Sequence, residues 1–138
     1  MIAYLDTSSL VKIYVEEKGS DRVRRLIGAA LFVSTSVVAY AEARAAFARL
    51  RREAGMTRSE YEQVKTDLEQ DWQTFLTLDV TEAVYRSAGD LAEKHRLRGF
   101  DSLHLASYLL LRRETLGEPT EFSSFDDALN RAARREAG

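Results

Sequence analysis

The chain has 138 residues, 45% apolar and 30% charged, with 20 Lys and Arg against 22 Asp and Glu and a net charge of −2. That length suits one domain with a sizeable core, and the balance reads as soluble and globular, neither disordered nor fibrous. With no cysteine, disulfides, zinc–thiolate sites, iron–sulfur clusters and thiol catalysis are excluded, a reducing cytoplasm fits, and so small a net charge leaves any nucleic-acid role to a local patch.

In chain order, Ile2-Ala3-Tyr4-Leu5 is a short apolar run that predicts a buried strand. Asp6-Thr7-Ser8-Ser9 supplies capping chemistry for a helix over Leu10–Val15, and Ser20-Asp21 opens a second helix with Val23, Leu26 and Ile27 on one face. Leu31-Phe32-Val33 reads as the next strand, with Ser34-Thr35-Ser36 as a cap. A long helix is expected from about Val37 to Ala54, stopped by Gly55. Thr57-Arg58-Ser59-Glu60 matches a capping box for a helix to about Trp72. Phe75–Val80 reads as a strand. Thr81 caps a helix through about His95, and Gly99 separates it from an apolar helix around Ser102–Arg113. Thr120–Ser123 is a last strand, before a helix from Asp126 to about Arg135.

No linker, repeat or low-complexity tract interrupts this order, so residues 1–138 read as one α/β domain with a mainly parallel sheet. The longest uncharged run, Leu26–Ala41, falls short of the roughly 20 apolar residues of a membrane span. The opening MIAYLD meets an acid at Asp6 without a basic stretch, so no signal peptide is expected. In parallel α/β sheets, ligands sit beyond the carboxyl ends of the strands.

Three aspartates fall near that rim: Asp6 directly after the first strand, Asp126 shortly after the last, and Asp101 just before the apolar helix. Each also suits an N-cap, and either residue of Asp126-Asp127 could cap or bind. Glu42 is harder to explain away, because Val38, Ala39, Ala45 and Ala46 surround it at helical spacing. A carboxylate on such a stripe requires compensation, from an arginine or from a bound cation. Several carboxylates from separated segments, with no Cys or His ligand, suit a hard cation such as Mg²⁺ or Mn²⁺. Such a site can activate water for phosphodiester hydrolysis.

The segments LDTSSLVKIYV (5–15), AYAEA around Glu42, RGFDSLHLA (98–106) and FSSFDDALNRAA (122–133) resemble the PIN-domain ribonucleases, and among them the VapC-type toxins of bacterial toxin–antitoxin pairs. The resemblance runs through nearly the whole chain in family order. It implies a three-layer α/β/α sandwich, Mg²⁺- or Mn²⁺-dependent endoribonuclease activity with a metal-activated water, homodimers, and a small antitoxin whose tail occupies the active site. The family's acids fall on Asp6, Glu42, Asp101 and Asp126, which the resemblance makes catalytic and metal-binding. Ser8, two residues after the first acid, and Ser124, before the last, fall at supporting positions. The final motif departs from the family pattern, Ser-Phe-Asp-Asp standing where T-x-D and a basic residue are commoner, so the choice between Asp126 and Asp127 stays open.

His104 shares a helical face with Asp101 and reads either as a substrate contact or as a core or capping histidine. All basic residues except Lys12, Lys18, Lys65 and Lys94 are arginine. Arg44, Arg49, Arg51 and Arg52 beyond Glu42, and Arg96 and Arg98 before Asp101, either flank a cleft that holds an RNA backbone or are solvated helix faces; Arg98 is the candidate substrate contact. The Val37–Trp72 helix pair is a candidate protruding hairpin for the antitoxin. A non-catalytic PIN-like module that binds RNA or protein is the alternative function. A phosphotransferase is disfavoured, since Ser8 stands where its second aspartate belongs.

Overall fold

The computed structural model describes residues 1–138. Four parallel strands form the central sheet in the order β3-β2-β1-β4, with β1 at Ile2–Leu5, β2 at Phe32–Ser36, β3 at Leu76–Leu78 and β4 at Thr120–Ser123. Strand β1 pairs with β2 (Ile2 opposite Phe32) on one side and with β4 (Ile2 opposite Thr120) on the other. The chain winds outward from β1 through β2 to β3, then returns to place β4 on the opposite edge. The carboxyl end of β1 is therefore the switch point of the sheet, where α/β folds form their ligand crevice.

Helices cover both faces. Alternate side chains of β1 point to opposite sides, as strand geometry demands. Ala3 and Leu5 join the core shared with α1 (Thr7–Tyr14), α2 (Ser20–Ala29), α3 (Val38–Glu53) and α4 (Arg58–Trp72). Ile2 and Tyr4 join the core shared with α5 (Glu82–His95), α6 (Gly99–Glu114) and α7 (Asp127–Ala137). All four residues of β1 are buried, which is why the strand reads as a continuous apolar run and not an alternating one. The result is a three-layer α/β/α sandwich around a parallel sheet. None of its helices is long and apolar enough to cross a membrane.

Several boundaries differ from the sequence-based expectations. Ser34-Thr35-Ser36 belongs to β2, and only its last hydroxyl serves the following helix, Ser36 Oγ accepting from the Val38 amide at 3.3 Å. The Ser34 and Thr35 hydroxyls can be buried because they donate to main-chain carbonyls, Ser34 to Leu76 at 2.7 Å and Thr35 to Leu5 at 2.7 Å. Strand β3 is only three residues long, against six expected. Helix α6 starts at Gly99, capped by Arg98 without a side-chain hydrogen bond, so Asp101 lies inside its first turn and not ahead of it. The α3–α4 pair is no free-standing hairpin, since Phe47, Val64 and Leu68 are buried in the core. The capping box of Thr57 and Glu60 is complete, and Gly55 takes the positive φ of 74° that follows the end of α3.

Candidate active site

Asp6, Glu42, Asp101 and Asp126 line one pocket of about 310 Å³, together with Thr7, Ser8, Arg98, His104 and Phe125. Each acid arrives by a different route. Asp6 leaves β1 as the N-cap of α1, its Oδ1 accepting from the Ser9 amide. Glu42 projects from α3, Asp101 from the first turn of α6, and Asp126 caps α7 through the Leu129 amide. Capping and site membership thus coexist in Asp6 and Asp126: one carboxylate oxygen can satisfy a helix end while the residue faces the pocket. Of the adjacent pair, Asp126 lines this pocket, whereas Asp127 is exposed and lines no part of it.

Asp6 is buried and the most firmly held of the four. Ser8 donates to its Oδ1 at 2.7 Å and Ser124 to its Oδ2 at 2.6 Å. Ser8 and Ser124 in turn accept from the amides of Phe125 and Asp126. A short network therefore ties the carboxyl ends of β1 and β4 together around one carboxylate. Glu42 is held by Thr7, which donates to Oε1 at 2.6 Å, and by His104, whose Nε2 lies 3.2 Å from the same oxygen and 3.2 Å from the Thr7 hydroxyl. On its other side the imidazole meets the Tyr4 hydroxyl, 2.8 Å from Nδ1. Since a carboxylate only accepts, the neutral ring carries its proton on Nε2 and Nδ1 accepts from Tyr4. With His104 only 1% exposed, its ring has almost no surface for substrate. Its geometry makes it a support for Glu42, which corrects the substrate-contact reading. Thr7 and Tyr4 were not singled out from the sequence; the hydroxyl beside Asp6 was the available signal for Thr7, whereas Tyr4 reads as an ordinary core residue.

Electrostatically the acids are not equivalent. Burial pushes the Asp101 carboxyl up; Arg98 opposes that, and the nearby charges of Asp126 and Asp6 add to it. Burial also acts to raise Glu42, but hydrogen bonds from His104 and Thr7 outweigh it, so Glu42 lies below its ordinary value. Arg98 Nε donates to Asp101 Oδ2 at 3.2 Å, and its Nη2 lies 3.9 Å from Asp126 Oδ2. The guanidinium, on an 84% exposed side chain, thus supplies positive charge between two of the carboxylates.

No three Asp, Glu or His side chains are gathered closely enough to hold an ion as they stand. The donor set nevertheless fits a hard cation in kind: four carboxylates, oxygen atoms only, and repulsion among the acids that presently draws an arginine between them. Glu42 Oε2 and Asp101 Oδ1 accept no hydrogen bond from the protein, and neither is sealed from solvent. Closing around an ion would require the Arg98 side chain to give way.

An acid-lined crevice at the switch point of a parallel sheet, with helices on both faces, is where an α/β domain binds its ligand. Residues 3–135 match the PIN domain family. The chain is 37% identical over 108 residues to Ribonuclease VapC45 and Ribonuclease VapC49 of Mycobacterium tuberculosis, covering 78% of this chain and 75% of each relative. Among solved structures it is similar to FitAcB of Neisseria gonorrhoeae (TM-score 0.69, 20% identity, 97% of this chain and 94% of that one). It is also similar to VapC20 of Mycobacterium tuberculosis, described as a sarcin-ricin loop cleaving toxin (TM-score 0.66, 16% identity, 94% of both chains). The chain belongs to the PIN-domain family, in its VapC-type branch.

Proposed function

We propose that this protein is a Mg²⁺- or Mn²⁺-dependent endoribonuclease and the toxin of a type II toxin–antitoxin pair. The observation that carries the reading is the convergence of Asp6, Glu42, Asp101 and Asp126 on one pocket at the carboxyl end of β1. The relatives named Ribonuclease VapC, and a structural neighbour described as a toxin–antitoxin complex from Klebsiella pneumoniae, support it.

Asp6, Glu42, Asp101 and Asp126 would hold the cation. When bound, it would supply Lewis-acid activation of a water and neutralise charge developing on the phosphate. The chain's own residues do the rest. Ser8, Ser9 and Ser124 fix the Asp6 carboxylate through both oxygens, so it cannot rotate away from the pocket. Thr7 and His104 occupy Glu42 Oε1 and leave Oε2 free. Arg98, exposed at the pocket mouth, exchanges its carboxylate partners for the non-bridging oxygens of the substrate phosphate, which guanidinium binds bidentately. Attack by water with departure of the 3′ oxygen leaves 5′-phosphate and 3′-hydroxyl ends.

The partners proposed with this function are RNA as substrate, a small cognate antitoxin, and a second copy of the chain in a cytoplasmic homodimer; sedimentation of the purified protein tests the last. The activity is tested by incubating antitoxin-free protein with total cellular RNA, with Mg²⁺ and then with EDTA. Mg²⁺-dependent cleavage that EDTA abolishes and Asp6→Asn removes is expected. Cleavage indifferent to EDTA contradicts the metal reading, and RNA binding without cleavage supports the non-catalytic alternative.

A further inference from the structure

The acid pocket opens on two sides, and the two differ in chemistry. Towards α5 and α6 lies an apolar recess that includes Tyr85, Ala88, Gly89, Phe100 and Leu103. Towards α1 and α3 lies a groove of about 700 Å³ that shares Thr7, Ser8, Glu42 and Arg98 with the acid pocket and is therefore continuous with it. This groove carries four cations, Lys12, Arg49, Arg52 and Arg98, against two acids, Glu17 and Glu42.

The cations are not equally available. Lys12 is paired with Glu17 at 2.9 Å, and Arg98 lies against Asp101 and Asp126. Arg49 and Arg52 are exposed, take part in none of the chain's ion pairs, and make no side-chain hydrogen bond. Helix α3 sorts its arginines by face. Glu42, Ala45, Ala46, Arg49 and Arg52 follow one another along a single stripe, so the groove runs from the acid past two small side chains to two unpartnered guanidinium groups. At 1.5 Å per residue, Arg49 lies about 10 Å and Arg52 about 15 Å from Glu42 along the axis. Arg44 and Arg51 line neither groove nor pocket: Arg44 donates to the Tyr40 hydroxyl at 2.9 Å and Arg51 to the Met56 carbonyl at 2.8 Å.

Building on the nuclease reading, we propose that the α1–α3 groove is the track for the RNA backbone leaving the cleavage site, with Arg49 and Arg52 binding phosphates a few nucleotides from the scissile one. Two free guanidinium groups in line with the acid site match the repeating charge of a nucleic-acid strand, and the apolar recess opposite has no cation beyond the shared Arg98.

The test compares two double variants of equal charge change, Arg49→Gln/Arg52→Gln and Arg44→Gln/Arg51→Gln. Binding of a short fluorescein-labelled single-stranded RNA is read by anisotropy in metal-free buffer across a salt series, and melting curves confirm that both variants fold. The groove pair is expected to bind about tenfold more weakly, and to lower the slope of log K against log salt by about 1.4, at about 0.7 for each phosphate no longer neutralised. The Arg44/Arg51 pair is expected to keep the wild-type slope and an affinity within about twofold. Equal losses in both pairs would mean a general field and overturn the track. So would an unchanged groove pair, wild-type protein that does not bind the RNA, or a groove pair that loses an acidic poly-glutamate peptide but retains RNA. Cleavage of total cellular RNA by the wild type in Mg²⁺ is scored separately: its success beside equal losses leaves the nuclease standing without the track, and its failure overturns the nuclease reading whatever the groove shows.

Discussion

The chain contains two histidine–glutamate pairs, and they do opposite things. At the edge remote from the acid pocket, His95 Nε2 and Lys94 Nζ both reach Glu136 Oε2, at 2.7 and 2.6 Å, fastening the end of α7 to the end of α5. Two donors converge on one oxygen, and Glu136 is held below its ordinary value chiefly by Lys94, then by His95. In the acid pocket, His104 and Thr7 also converge on one oxygen of Glu42. There burial is the largest influence on the carboxylate and works against ionisation, whereas at Glu136 the contacts with Lys94 and His95 come first. The same chemical pair is a clasp where a lysine joins the histidine and ties two helix ends together. It becomes a functional element where the histidine orients a carboxylate that lines a pocket with three other acids.

The largest effect should fall on the carboxylates themselves. Glu42→Gln is expected to lower Mg²⁺-dependent RNA cleavage by more than about 100-fold, beyond the 10–100-fold typical of residues that only orient a ligand. Glu136→Gln should leave cleavage within about twofold. Comparable losses in both would erase the distinction between the pairs.

The histidines sharpen it further. His104→Leu should weaken Mn²⁺ binding, measured by calorimetry, by about 10–100-fold, whereas His95→Leu should not change it. Tyr4→Phe, which removes only the hydroxyl that orients His104, should produce a smaller loss in the same direction. An unaltered Mn²⁺ affinity in a folded His104→Leu protein would reduce His104 to packing.

A third contrast concerns stability without metal. Asp101 is raised, so its contribution is favourable at pH below its unfolded value near 3.8 and is lost as pH rises through its folded value; at pH 7 the ionised group destabilises the fold. Asp101→Asn should therefore raise the metal-free melting temperature at pH 7 by roughly a few degrees, and the advantage should shrink on acidification. Glu42 has the opposite sign: its contribution is present above its unfolded value of 4.5 and is lost as pH falls through its depressed folded value. Glu42→Gln should therefore not stabilise the metal-free protein at pH 7. A lower melting temperature for Asp101→Asn would show that its bond to Arg98 outweighs the repulsion.

The smallest expected effect on chemistry comes from Gly19, the cap of α2 at φ 96°. A Cβ there would stand 2.5 Å from the ring of Phe125, which lines the acid pocket beside Asp126. Gly19→Ala should destabilise the fold by about 1–3 kcal/mol, seen in denaturant melts, with a modest change in cleavage as Phe125 shifts.

Much of the frame was legible because local and tertiary signals agree. Strand β1 is buried on both faces, so its uniform apolar run coincides with its boundaries. The helix from Thr57 has its start written in a complete capping box. The errors fall where a tertiary partner overrides a local signal. Ser34-Thr35-Ser36 carries capping chemistry, yet the Ser34 and Thr35 hydroxyls bond to neighbouring strands, and only Ser36, at the end of β2, serves the helix, through the Val38 amide. Helix α6 begins without any side-chain cap, so its first turn gave no warning. In the site, the acids were visible because a carboxylate among alanines, or at a strand end, requires a reason. The support of Glu42 was not, because it joins positions 4, 7, 42 and 104, which only the folded chain brings together.

The central claim, that the four carboxylates form one cation site, is tested most directly by soaking crystals of the protein in Mn²⁺ and collecting data at the manganese edge. An anomalous peak among Asp6, Glu42, Asp101 and Asp126, with Arg98 moved off Asp101 and Asp126, is the predicted result. No peak in that pocket at Mn²⁺ concentrations that support RNA cleavage, or a peak elsewhere on the molecule, would contradict it.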